Sequence, residues 1–174
     1  WETRGIVLSN AANTYVDQGD IESADAFFSE SIAIARRLSN DAAETTRRGN
    51  YGWFLLSTGK PQQAISALEY ALRLSKSLQL DLQSAIQTDN LGLAYDSLGN
   101  YPKALEHHQQ ALVIVQPLKN AHWEFSFKIN QGNTLLSMGD WQAAAPLLEA
   151  AMAQARAAED IELIARSLTG LTRA

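Results

Sequence analysis

The chain has 174 residues, with 14 Lys and Arg against 19 Asp and Glu, a net charge of -5, 46% hydrophobic and 19% charged residues. That balance excludes a disordered chain, and the lack of a long basic run speaks against nucleic acid or an anionic membrane as partner. There is no cysteine, which removes disulfides and thiolate metal sites and suits a reducing, cytoplasmic compartment.

The sequence repeats itself every 40 residues, and the repeat sets the elements in order. A first helix pair is predicted at 2–18 and 21–38, turning at Gly19; a second at 41–58 and 61–78, turning at Gly59. A third follows at 81–98 and 101–118 around Gly99, and a fourth at 121–138 and 141–158 around Gly139. A ninth helix is expected at 161–173, because Ala165 to Ala174 lines up with Ala85 to Ala94, with Leu171 over Leu91. No apolar run approaches the roughly 20 residues of a membrane span, and no signal peptide is visible. The chain starts at Trp1, not Met, and reads as a fragment of a longer protein.

Local chemistry supports these boundaries. Each glycine of the turns suits a left-handed helix end, where a Cβ is costly. Asp20, Asn100 and Asp140 follow three of them as N-cap residues. Pro61 and Pro102 fall in first turns, where a missing N–H does no harm. Asp41 with Glu44 reads as a capping box on the third helix, and Asp81 as the cap of the fifth. Further columns share the period. Seven residues before each glycine stand Ala12, Gly52, Gly92 and Gly132, and five after it Ala24, Ala64, Ala104 and Ala144. These small residues let the two helices of a hairpin approach. Tyr15, Leu55, Tyr95 and Leu135, with Ile21, Pro61, Tyr101 and Trp141, fill space between hairpins.

The third unit carries a family resemblance. Asn90-Leu91-Gly92-Leu93-Ala94-Tyr95, then Gly99, Tyr101, Ala104 and Ala111, resembles the tetratricopeptide repeat (TPR) motif, with Leu91, Gly92 and Tyr95 on its L-G-x2-Y signature. Thr88 stands where that family often has Trp, and His108 where it usually has a large apolar residue. The usual proline near the end of the unit is missing, although Pro117 lies close by. The period of 40 exceeds the usual 34, so the chain is similar to the extended class found in kinesin light chains and bacterial regulators. The resemblance implies an all-α fold: a right-handed superhelical solenoid of antiparallel helix pairs, forming one domain over 1–174. It would hold four full repeats, at about 1–40, 41–80, 81–120 and 121–160, with 161–174 as a partial repeat or capping helix.

In that family the first helix of each unit lines a concave groove. Asn10, Asn50, Asn90 and Asn130 occupy one column of it. Asn is a poor helix-interior residue, so four in register call for a reason. The resemblance makes the column a grip on a peptide backbone, since an amide both donates and accepts; a structural ladder between units is the competing reading. Ile6, Thr46, Ile86 and Ser126 lie one turn earlier, and Asn13, Trp53, Leu93 and Asn133 nearly one turn later. Asp17, Ser57, Ser97 and Ser137 follow a further turn on. The implied peptide-binding set is therefore Asn10, Asn13, Asn50, Trp53, Ile86, Asn90, Leu93, Asn130 and Asn133. Trp53 is the anchor candidate, with burial against a neighbouring helix as its alternative. Ile86 and Asn90 stand where some members use cations to clamp a terminal carboxylate, which argues against that mode.

Other chemistry is not in evidence. His107 and His108 are adjacent and point about 100° apart on a helix, unlike an i, i+4 metal pair, and His122 begins another helix. No phosphate-binding loop or nucleophile elbow occurs, so no enzyme, cofactor or metal is expected. Arg36, Arg37, Arg47 and Arg48 read as a solvated charged edge near one inter-repeat junction. The function expected is a protein-interaction scaffold holding a peptide or helix of a partner, or of its own parent chain. A structural solenoid self-associating through its ends, or a sensor segment of a larger signalling protein, is the alternative.

Overall fold

The computed structural model describes residues 1–157, so the helix expected at 161–173 lies outside the described residues. Those residues form eight α-helices and one short 3₁₀ segment: α1 Glu2–Asp17, α2 Ile21–Arg37, α3 Asp41–Ser57, α4 Pro61–Ser77, α5 Asp81–Ser97, α6 Tyr101–Val115, 3₁₀ Gln116–Leu118, α7 Ala121–Ser137 and α8 Trp141–Ala157. The fold is an all-α helical repeat. The chain divides into two compact units, Trp1–Gln83 and Ser84–Ala174. In the first, α1 pairs with α2 and α3 with α4; in the second, α7 pairs with α8 and also packs on α6.

The turns explain the regular spacing. Gly19, Gly59, Gly99 and Gly139 all take positive φ, between 71° and 80°. Their neighbours close the next helix: Asp20 accepts from the Ser23 amide at 3.0 Å and Asp140 from the Ala143 amide at 3.1 Å. The Ser23 hydroxyl and amide hold the Asp20 carboxyl below its usual pKa. The turns between hairpins use other residues. Ser39, Gln79 and Lys119 adopt φ of 51°, 55° and 52° without being glycine. Asn40 and Asn120 then cap α3 and α7, accepting from the Ala43 and Trp123 amides. Two cap assignments therefore change. Asp41 and Asp81 are the first residues inside their helices, not their caps; there each carboxylate meets the positive end of the helix dipole.

Proline shapes two helices of the second unit. The α6 helix stops at Val115, two residues before Pro117, and continues as the 3₁₀ segment. Pro117 has no amide for the α-helical bond and its ring crowds the preceding turn. Pro146 sits inside α8.

Small residues set how closely the helices of a pair approach. A Cβ on Gly52 would stand 2.5 Å from Leu68, and one on Gly132 2.8 Å from Leu148. Both leucines are 0% exposed, and each such burial contributes about 2 kcal/mol. In the first unit Phe28 fills the equivalent slot, its ring 5.2 Å from Phe54 and 5.9 Å from Tyr51. The Tyr51 hydroxyl donates to Asp25 at 2.8 Å, and burial together with that carboxylate pushes the phenol up to about 12.

Arg47 departs from the solvated edge expected of it. It is 4% exposed and threads back between α1 and α2. Its Nη1 donates to the Ser31 carbonyl at 3.0 Å and its Nη2 to Glu2 at 2.6 Å. Gly5 leaves room for it, since a Cβ there would lie 2.6 Å from the guanidinium. Arg48 is also paired, to Glu44 at 2.7 Å, and covers the Tyr70 ring at 3.9 Å. A guanidinium can satisfy several acceptors in one plane, which makes burial of this kind tolerable. Arg36 and Arg37 do lie on the exposed side.

Candidate interaction surface

In the first unit α1 and α3 are neighbours, joined by the Arg47–Glu2 bond. Residues three and four apart share a helix face, and on α3 that rule separates two sides cleanly. Thr45, Gly49, Gly52 and Phe54 are buried, whereas Thr46, Asn50, Trp53 and Ser57 are exposed. On α1 the corresponding residues Ile6, Asn10, Asn13 and Asp17 are exposed as well. Two open stripes result. Their polar groups are amides and hydroxyls, and Asp17 is the one charged residue among these eight.

The amides of this face are uncommitted. Asn10, Asn13 and Asn50 direct no side-chain hydrogen bond to another described residue, whereas Thr46 and Ser57 spend theirs on carbonyls of their own helix, Ala42 and Phe54. Trp53 is 54% exposed. An indole left that open is not filling a core, and the alternative of burial against a neighbouring helix is not what the structure shows.

The second unit treats the same columns differently. On α5, Ile86, Asn90 and Leu93 are half-buried. On α7, Asn133 is half-buried and Asn130 is only 6% exposed. The Asn130 amide donates to Asp89 Oδ2 at 2.6 Å, and Asp89 Oδ1 lies 2.6 Å from His108 Nδ1. This asparagine is thus engaged inside the protein by a carboxylate of α5. The four asparagines share a sequence register but not an environment.

His108 is fully buried. It occupies the slot that Leu68 and Leu148 fill in other repeats, above Gly92, where a Cβ would meet the imidazole at 2.6 Å. Its partner Asp89, 3% exposed, was not singled out from the sequence. The signal was available: Asp89 stands in register with Ser9, Gly49 and Ile129, so the same repeat carries polar departures on two facing helices. His107 stacks on Tyr95 with centroids 5.3 Å apart, and His122 sits edge-on to Trp123. Among the described residues no three His, Cys, Asp or Glu side chains group as a metal site would need. No described helix is long and apolar enough to cross a membrane.

Comparison with known proteins agrees with this architecture. The profile of the tetratricopeptide repeat family matches residues 3–77 and 82–157. Outer dynein arm-docking complex subunit 4 of Danio rerio is 21% identical over 159 residues, which is 91% of this chain and 32% of that protein. The chain therefore spans about a third of that relative. Among solved structures, a putative kinesin light chain of Podosopora anserina with nearly identical TPR-like repeats superposes with a TM-score of 0.74 at 16% identity, covering 99% of this chain and 88% of that one. A Rap protein complexed with competence and sporulation factor gives a TM-score of 0.85 at 16% identity, covering 95% and 46%. At these identities the likeness is one of fold.

Proposed function

Because the chain belongs to the tetratricopeptide repeat family, we propose that it is a protein-interaction scaffold whose open α1 and α3 faces hold a peptide segment of a partner, or of its own parent chain. The observation that carries this reading is Trp53, 54% exposed beside Asn50 on a stripe whose amides have no side-chain hydrogen-bond partner among the described residues. An indole supplies large apolar contact at small entropic cost. The neighbouring amides of Asn10, Asn13 and Asn50 offer one donor and one acceptor direction each, which matches an extended backbone of any sequence. Ile86, Asn90, Leu93 and Asn133 hold the same sequence columns in the second unit, where they are half-buried and form a candidate surface of that unit by itself. The Rap protein complexed with competence and sporulation factor supports the reading by analogy of fold.

The test is selection of binders from a phage-displayed library of 16-residue peptides, followed by titration against wild-type protein and a Trp53→Ala/Asn50→Ala variant of matched helicity. Loss of an anchor of this kind is expected to weaken binding by at least ~30-fold, about 2 kcal/mol. Peptides that bind both proteins equally well would remove the site from these stripes.

A second reading, self-association through α1, is favoured by Val7. It is 60% exposed, while Arg47 and Phe127 in the same column are 4% and 1% exposed. Such an apolar position next to Ile6, itself 52% exposed, suits another helix. Sedimentation equilibrium decides it: a mass that rises with concentration and reverts to monomer in Val7→Glu supports the reading, and a constant monomer mass rejects it.

A further inference from the structure

One buried cluster carries chemistry that the interaction reading does not use. Asp89, His108 and Asn130 come from three different helices of the second unit, α5, α6 and α7, and are 3%, 0% and 6% exposed. A single carboxylate joins them, Oδ1 facing His108 Nδ1 and Oδ2 receiving the Asn130 amide, each at 2.6 Å. Other repeats close the equivalent positions without this trio: Ile129 and Leu148 stand where Asp89 and His108 would, and Gly49 and Leu68 do so in the second repeat. Packing alone therefore does not require polar groups here. Buried ionic groups of this kind add little net stability over apolar residues of similar volume.

What the trio adds is direction. Apolar side chains in a helix interface tolerate small slides and rotations, and cores lose uniqueness before they lose stability. Hydrogen bonds to a buried carboxylate are short and strict in angle. With one oxygen committed to α6 and the other to α7, only one relative placement of the three helices satisfies both.

We propose that Asp89, His108 and Asn130 form a register latch that selects a single docking of α7 on the α5–α6 hairpin. Asp89 is the central acceptor, and His108 and Asn130 are positioning residues acting through it. The latch requires a proton on His108 Nδ1, because an ionised carboxylate has no hydrogen to give and Nδ1 must donate. Nε2 is then the ring atom that, among the described residues, has no hydrogen-bond partner, in agreement with its buried surroundings. The latch also explains why Asn130 differs from the exposed Asn10 and Asn50.

Two measurements test it on the full chain. In the wild-type protein, long-range ¹H–¹⁵N correlation of the imidazole is expected to show His108 Nδ1 protonated; a ring with Nε2 protonated and Nδ1 bare would overturn the latch. The second uses an apolar variant, Asp89→Ile/His108→Leu/Asn130→Ala. It is expected to melt within about 5 °C of wild type, or above it. Its α7 amides and the Trp123 indole N–H are expected to broaden or split into more than one cross-peak, while α5 and α6 signals stay single. A single sharp set of α7 signals in the variant, or a variant that does not fold, would overturn the proposal. The first outcome would make the trio dispensable filling, and the second would make it a stability element and not a selector.

Discussion

Replacing His108 with leucine is expected to destabilise the second unit by about 3–5 kcal/mol, even though leucine fills the equivalent slot at Leu68 and Leu148. Shape favours the substitution. Gly92 leaves the same recess under His108 that Gly52 leaves under Leu68 and Gly132 under Leu148. The loss comes from what remains. Asp89, 3% exposed, keeps the Asn130 amide but has no second donor for Oδ1. An uncompensated charge in that position costs more than the added methyl groups return. Denaturant titration of His108→Leu, with Asp89→Ile and the double variant to complete a cycle, measures it. The double variant is expected to recover much of the loss. Neutral or stabilised His108→Leu protein would mean that Asp89 finds another donor and that the pair is not coupled.

Phe28→Ala is expected to cost the first unit about 3–5 kcal/mol, the range for truncating a fully enclosed aromatic side chain. Phe28 is 0% exposed and lies against Phe54 and Tyr51 of α3, so it fills space between two successive hairpins as well as within its own. Collapse of neighbours into the cavity is restricted, because the Tyr51 hydroxyl is tied to Asp25 at 2.8 Å and Phe54 is itself buried. Phe28→Leu, the residue of the second and fourth repeats at this column, should cost about 1–1.5 kcal/mol. The comparison separates lost volume from lost aromatic contact. Chemical denaturation of both variants reads the difference, and an alanine variant within 1 kcal/mol of wild type, roughly the scatter of ordinary substitutions, would show that the ring is not a keystone of this core.

Periodicity made most of the fold legible. The 40-residue columns located all eight described helices to within a residue or two, except the shortened end of α6 at Pro117. That success rests on a physical redundancy: turn glycine, small contact residue and apolar stripe each report the same boundary. Caps were less legible. Asn40 and Asp41 are both good caps by type, and only the left-handed Ser39 before them decides which one takes the position. The candidate site was legible as an address and not as a state. The asparagine column said where Asn10, Asn50, Asn90 and Asn130 stand, but exposure depends on what the adjacent repeat places opposite. Asp89 draws Asn130 inward, and among the described residues no comparable acceptor engages Asn10 or Asn50. Arg47 was misread for the same reason. A charged residue in a helical column looks solvated until the backbone carbonyl of Ser31 and the space over Gly5 are known.

The left-handed residues hold a further implication. Gly19, Ser39, Gly59, Gln79, Gly99, Lys119 and Gly139 follow one another at intervals of 20. The turn inside a hairpin and the turn between hairpins are therefore metrically alike, although only the former uses glycine. The chain is in effect a thread of uniform pitch whose stitches alternate in chemistry. Excising or duplicating a length of 40 anywhere along it restores both the pitch and the alternation, leaving each helix a neighbour of the kind it had before. A gain or loss of 20 keeps the pitch but sets two helices of the same type side by side, so that a recess such as that at Gly52 no longer meets a filler such as Leu68. The unit that can be added or removed without disturbing the neighbours is therefore 40 residues, not 20.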